Sequence, residues 1–135
     1  SIFRNKTSKL GWQVFPEFAV TQGQKSRNAL EELYSYFDCG HIVINRRNDN
    51  HREHLYRYVV RNMEDLQTII LPFFITHPLR TAKRKDFELF VQILELISKK
   101  NHLKKEGLIH IAQLVSSMNR QSKSKFLTES SETTR

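Results

Sequence analysis

Residues 12–22 read Trp-Gln-Val-Phe-Pro-Glu-Phe-Ala-Val-Thr-Gln, and their alternation decides the fold. Trp12, Val14, Phe18 and Val20 share one parity; Gln13, Phe15, Glu17, Ala19 and Thr21 share the other. A period of two with one apolar and one mixed face marks a strand packed on a single side. Pro16 has no N–H to give a ladder, so it predicts an edge or a bulge within the strand. Upstream, Asn5 to Gly11 is rich in Lys, Ser and Thr and reads as the loop of a hairpin joining Ile2-Phe3 to this strand.

Downstream the period lengthens. Ala29, Leu30, Leu33, Tyr34 and Phe37 form a helical stripe within residues 24–37, and Gly40 is placed as a left-handed cap. His41–Asn45 reads as a strand, 46–50 as a polar turn and 53–61 as a further alternating strand. There Tyr56, Tyr58 and Val60 oppose Arg57, Val59 and Arg61. Asn62 is an expected helix cap ahead of the acids Glu64 and Asp65, with Met63, Leu66, Ile70 and Phe73 buried. After Pro78, one helix carries Phe87, Phe90, Val91, Leu94 and Ile97. A joint at residues 104–107 precedes another with Leu108, Ile111, Ala112, Val115 and Met118. The order ββαββα plus two helices predicts an α+β fold: an antiparallel sheet with helices on one face. Residues 1–118 are expected to form one domain, and the polar stretch 119–135 a disordered tail.

The chain has 135 residues, 22 Lys plus Arg against 14 Asp plus Glu, and a formal charge of +8. That balance favours a polyanionic partner, nucleic acid before an anionic membrane surface. Cys39 is the single cysteine, which excludes an internal disulfide framework and a Cys-based zinc site. No apolar run approaches the roughly 18 residues of a membrane span. The six histidines are scattered; His51 and His54 lie three apart, but no carboxylate or cysteine pattern completes a metal site. The four glycines are isolated, so no phosphate-cradling loop is present, and no Ser-His-Asp pattern emerges.

If one sheet face packs on helices, the other carries Gln13, Phe15, Glu17, Ala19, Val43, Asn45, Arg47, Arg57, Val59 and Arg61. Amides, guanidinia and small apolar groups are what distinguish base pairs in the major groove: Arg donates to guanine, Gln or Asn pairs with adenine, and apolar atoms meet the thymine methyl. A solvated face of no special function has a similar composition, so pattern alone leaves both readings open. Lys6, Lys9, Lys25, Arg27, Arg46, Arg52, Arg80, Lys83, Arg84 and Lys85 could hold phosphates, giving affinity and salt sensitivity rather than sequence choice.

Two segments resemble the LAGLIDADG homing endonuclease family. One is Phe18-Ala19-Val20-Thr21-Gln22, a strand ending in Val-Thr-Gln before a helix. The other runs from Leu71-Pro72-Phe73-Phe74 through His77-Pro78-Leu79 to Thr81-Ala82-Lys83-Arg84-Lys85-Asp86-Phe87. With the element order, the resemblance spans residues 1–118. It implies a saddle-shaped reader of one DNA half-site, with double-stranded DNA as partner, a homodimer as assembly and Mg2+ as cofactor of the complete enzyme. It implies Gln22 as the polar residue organising metal-bound water and Lys83 as the lysine near the scissile phosphate; Lys25 or Arg27 fills the nearby basic position. Gln13, Phe15, Glu17, Ala19, Asn45, Arg47, Arg57 and Arg61 lie where relatives read bases. Without the resemblance, Gln22 reads as a helix cap and Lys83 as a solvated first-turn lysine.

The family's acidic-ended motif helix, which precedes the first strand and supplies the metal ligand, is not among these residues: the sequence opens at Ser1 with a strand under way. The expectation is an N-terminally incomplete or degenerate member that binds DNA and, with the motif helix, cleaves it as an intron-encoded endonuclease. The expected location is intracellular, in cytoplasm or an organelle. Two alternatives stay open: a non-cutting relative acting as an RNA maturase or DNA-binding regulator, and a basic module whose sheet face meets protein.

Overall fold

The computed structural model describes residues 1–46 and 54–118. In chain order the elements are β1 (Ile2–Arg4), β2 (Trp12–Val14), β3 (Phe18–Gly23), α1 (Arg27–Phe37), β4 (His41–Asn45), β5 (Leu55–Val60), α2 (Met63–Asp65), a π-helical segment (Leu66–Ile70), α3 (Leu71–Thr76), α4 (Ala82–Ser98) and α5 (Lys105–Met118). Short 3₁₀ turns lie at Gln24–Ser26 and Asn101–Leu103. Arg47, Arg52, His51 and the expected tail 119–135 fall outside the described residues. Among the described residues the chain gathers into two compact units: Ser1–Pro16 with the chain from His77, and Glu17–Thr76.

In the first unit, β1 and β2 form an antiparallel hairpin with Ile2 opposite Val14, Phe3 opposite Gln13 and Arg4 opposite Trp12. Asn5 builds its loop: its side-chain oxygen accepts from the Thr7 N–H at 3.0 Å and the Thr7 hydroxyl at 2.7 Å, and its N–H donates to the Gly11 carbonyl at 2.9 Å. This is an Asx turn, the use Asn has in a tight connection. Ile2, Leu10, Trp12 and Val14 turn inward against Leu108 and Ala112 of α5. In α4, Ile93 and Leu94 are the buried pair. Gly107 lies inside α5 rather than in the expected joint, because its missing side chain admits the Asn101 backbone, which a Cβ there would overlap.

The second unit is a three-stranded antiparallel sheet in the order β3-β5-β4. The long strand read at 12–22 is thus two strands, parted at Phe15–Glu17 around Pro16 as the missing donor requires. Phe18 pairs with Val60, Thr21 with Arg57 and Val43 with Arg57. Helix α1 packs on all three strands, burying Leu30 and Phe37 beside Tyr56, Tyr58 and Val60. Tyr58 sits between Phe18 and Phe37, with ring centroids 6.4 and 6.3 Å away. Ala29 and Tyr34, expected in the buried stripe, are exposed.

Asn62 caps α2 as expected, its side-chain oxygen accepting from the Asp65 N–H at 3.0 Å. The ladder then widens into the π segment just before Pro72. Proline gives no N–H to the Thr68 carbonyl and its ring crowds that carbonyl, so the preceding turn relaxes outward. The Thr68 hydroxyl donates back to the Glu64 carbonyl at 2.7 Å. Leu66 and Ile70 still reach the core with no exposed surface.

Candidate nucleic-acid interface

The register of β3, β5 and β4 fixes which side chains share the face away from α1. Thr21, Arg57 and Val43 form one row; Ala19, Val59 and His41 the next; Gly23, Leu55 and Asn45 the row beyond Arg57 on the other side. Arg61 and Glu17 continue the same parity just past the paired residues. Ala19, Thr21, His41 and Asn45 are exposed, and the Arg57 side chain is 33% accessible. Asn45 and Arg57, predicted to read bases together, therefore stand on one open surface. Val59 departs from its expected exposure: it is fully buried in the central strand.

Glu17 is the centre of charge on this face. Oε1 accepts from Arg57 Nη2, and Oε2 accepts from Arg61 Nε at 2.6 Å. Partial burial opposes ionisation of this carboxyl, but the Arg61 hydrogen bond and the charges of Arg57 and Arg61 outweigh it. The pKa is held below the usual carboxylate range. Sequence reasoning placed all three residues on one face and missed their pairing; their parity across β3 and β5 was the signal available.

On the hairpin of the first unit, Phe3, Gln13 and Phe15 turn away from the α5 side. Phe3 and Phe15 stack with centroids 5.0 Å apart and planes within 13°, both partly exposed. Gln13 accepts at its side-chain oxygen from Asn5 Nδ2, which fixes the orientation of its amide. Phe3 was not singled out from sequence, although it lies directly across from Gln13.

The remaining predicted residues sit elsewhere. Gln22 is half-buried on the α1 side of the sheet, opposite the Arg57 face. There it lines an apolar groove with Val20, Ala29, Leu33, Tyr36 and Phe73. It makes no cap: neither the 3₁₀ turn nor α1 has a side-chain cap bond. Arg27 opens α1, pairs with Glu31 at 3.2 Å and lies over the Tyr56 ring at 5.1 Å. Lys25 is exposed in the preceding turn.

Lys83, in the first unit, is the exposed second residue of α4. With Arg84 and Lys85 it crowds cations into a first turn that holds no acid. The positive end of the helix dipole makes that arrangement unfavourable unless an anion is near.

The described residues do not fit a divalent metal. No group of three or more His, Cys, Asp or Glu side chains converges among them, and both oxygens of Glu17 are occupied by guanidinium groups. Among the described residues no helix is long and apolar enough to cross a membrane.

Residues 1–94 match the model of a family described as LAGLIDADG endonuclease. The chain is 36% identical over 117 residues to a Neurospora crassa protein named probable intron-encoded endonuclease 3, a match covering 86% of this chain and 21% of that protein. Among solved structures it resembles the homing endonuclease I-TnaI, with a TM-score of 0.81 and 34% identity, covering all of this chain and 86% of the other. It also resembles I-SmaMI bound to its uncleaved DNA target in the presence of calcium ions. That match has a TM-score of 0.83 and 34% identity, over 96% of this chain and 42% of that one. The chain thus spans about a fifth to a quarter of the length of the curated relatives it matches.

Proposed function

The chain belongs to the LAGLIDADG endonuclease family, and from that premise we propose that residues 1–118 act as the double-stranded-DNA-reading body of an intron-encoded homing endonuclease. The observation that carries this reading is the single open face holding Ala19, Asn45, Arg57 and Arg61. An antiparallel strand ribbon fits the major groove, and its Arg and Asn side chains have the donors and acceptors that separate guanine and adenine from their complements. Gln13 and Phe15 of the hairpin are proposed base contacts in their own right, and Arg47 is added by its place in the sequence. Lys25 and Arg27 contact phosphates, which give affinity and register rather than sequence choice.

Cleavage is the finer part of the proposal. Hydrolysis of a phosphodiester needs an oriented water and neutralisation of charge developing on phosphorus. Gln22 is neutral, so it can orient a water without competing for a cation. Lys83 is cationic and stabilises phosphoryl charge. The complete enzyme is proposed to use Mg2+, held by the acidic end of the family's motif helix. One domain of this kind covers one half-site, so a homodimer on a near-palindromic target is the proposed assembly, inside the cell in cytoplasm or an organelle.

The test is competition binding at matched salt between duplex DNA and structured RNA, followed by selection from a randomised duplex library. Duplex preference with a selected sequence supports the reading. A strong preference for structured RNA points to a maturase instead, since the A-form major groove is too narrow for a ribbon. Binding to protein but to neither nucleic acid overturns it.

A further inference from the structure

The DNA-reading face contains an acid where a polyanion is to dock, and the acid is not placed as a reader. We infer that Glu17 is a positioning residue for sequence recognition: it contacts no base itself and holds Arg57 and Arg61 in the orientations from which they do. This rests on the DNA-reading role proposed above. Three observations carry it.

The first is the division of the carboxylate, one oxygen to each arginine. A glutamate that reads cytosine needs an oxygen turned to the N4 amino group. Here both are turned to guanidinia on the protein's own sheet.

The second is which nitrogen each arginine uses: Arg57 gives terminal Nη2 to Glu17 and keeps Nη1 clear of it, whereas Arg61 gives Nε. Arg61 donates through Nε, which leaves its two coplanar terminal nitrogens clear of Glu17 on a side chain that is 49% accessible. That pair makes the bidentate donation to guanine O6 and N7. A carboxylate gripping the base of the guanidinium stiffens the side chain while leaving its reading edge uncovered.

The third is the direction of Arg57. Its backbone pairs with Thr21, four residues beyond Glu17 on β3, yet its guanidinium ends at Glu17. The side chain is drawn along the strand rather than standing over its own Cα. The path ends in the ion pair with Glu17. The cluster keeps a net charge of +1, two guanidinia less one carboxylate, so the face still attracts phosphate.

The experiment compares the full chain with Glu17→Gln and Glu17→Asp, using a randomised duplex library and a duplex of scrambled sequence. Glu17→Gln is expected to lose roughly tenfold discrimination at the guanine-read positions. It should bind scrambled duplex more tightly, because a negative charge has left the face. Glu17→Asp keeps the charge but is a methylene shorter. It should bind scrambled duplex as the unmodified chain does, with weakened discrimination. Undiminished selectivity in Glu17→Gln overturns the inference and leaves the DNA-reading function standing. A change confined to a cytosine position makes Glu17 a direct reader and also overturns it. Parallel loss of both affinities together with a lower melting midpoint makes it merely structural. Failure of the unmodified chain to select any sequence removes the function and the inference together. A readout on the unmodified chain is independent of folding of the variants: at neutral pH the Arg61 Nε–H proton should give a resolved, exchange-protected resonance. A signal like that of fully solvated arginines overturns the proposal.

Discussion

The Tyr58 hydroxyl donates to the Cys39 carbonyl at 2.6 Å, tying the middle of β5 to the turn that ends α1. Tyr58 has no exposed surface. Tyr58→Phe keeps the ring packing and removes this bond, so it should cost about 1–2 kcal/mol, read as a lower urea midpoint with unchanged slope. Burial first, then the Cys39 thiol 3.8 Å from the hydroxyl, pushes the phenol pKa up from 10.0. A group raised in the folded state stabilises it fully below its unfolded pKa and loses that contribution as pH rises. Stability should therefore fall above about pH 10 in the unmodified chain, and fall less in Tyr58→Phe. Identical alkaline profiles would contradict the assignment.

The same turn depends on Gly40, at φ 77°, where an added Cβ would stand 2.5 Å from the Val59 carbonyl oxygen and 2.8 Å from Val60 Cγ2. Gly11 has the same φ with nothing within 4 Å. Both alanine variants incur about 1–2 kcal/mol for the left-handed backbone, and only Gly40→Ala adds a collision with strand β5. Gly40→Ala should be clearly the less stable of the two in denaturant titration. Equal losses would mean the collision is relieved without cost.

The alternation of residues 12–22 and 53–61 made strand character and its two faces legible, but Pro16 reads as an edge or bulge within one strand where the structure has separate strands β2 and β3. Asn62, followed by two acids, announced its cap. What failed depends on tertiary neighbours. Val59 has the parity of a solvent-facing residue but is buried in the central strand, and Tyr34 has the spacing of a core residue but stays exposed. The π segment follows from Pro72, which shows in the sequence as a break without revealing that the helix continues through it. For the site, parity grouped Glu17, Arg57 and Arg61. It did not show that they bind one another, because that needs β3 and β5 in register across 40 residues of sequence.

Arg57→Ala tests the reading face directly. Loss of one guanidinium that donates to guanine should cost about 1–3 kcal/mol on the preferred duplex and relax choice at one or two positions. Affinity for scrambled duplex should change much less. Competition between preferred and scrambled duplex measures the difference, and equal losses on both would make Arg57 a phosphate contact.

Lys83→Ala separates binding from chemistry. Its exposed position at the start of α4 gives it no packing role. In a cleavage-competent form of the protein, duplex affinity should stay nearly unchanged while strand cleavage is lost. Normal cleavage by Lys83→Ala would remove it from the proposed site.

Lys25 and Arg27 provide the last distinction, because the two cations are held differently. Lys25 is exposed in the 3₁₀ turn. Arg27 is braced by Glu31 and lies over the Tyr56 ring. If each neutralises one phosphate, either alanine variant should lower the slope of log affinity against log salt by about 0.9 without altering the selected sequence. Arg27→Ala should also lower stability by roughly 0.5–1 kcal/mol, from the lost ring contact and helix pair, whereas Lys25→Ala should not. Salt titrations on scrambled duplex, paired with thermal melts, resolve the two. A Lys25→Ala protein that keeps its salt slope but selects a different sequence would place Lys25 at a base edge rather than at the backbone.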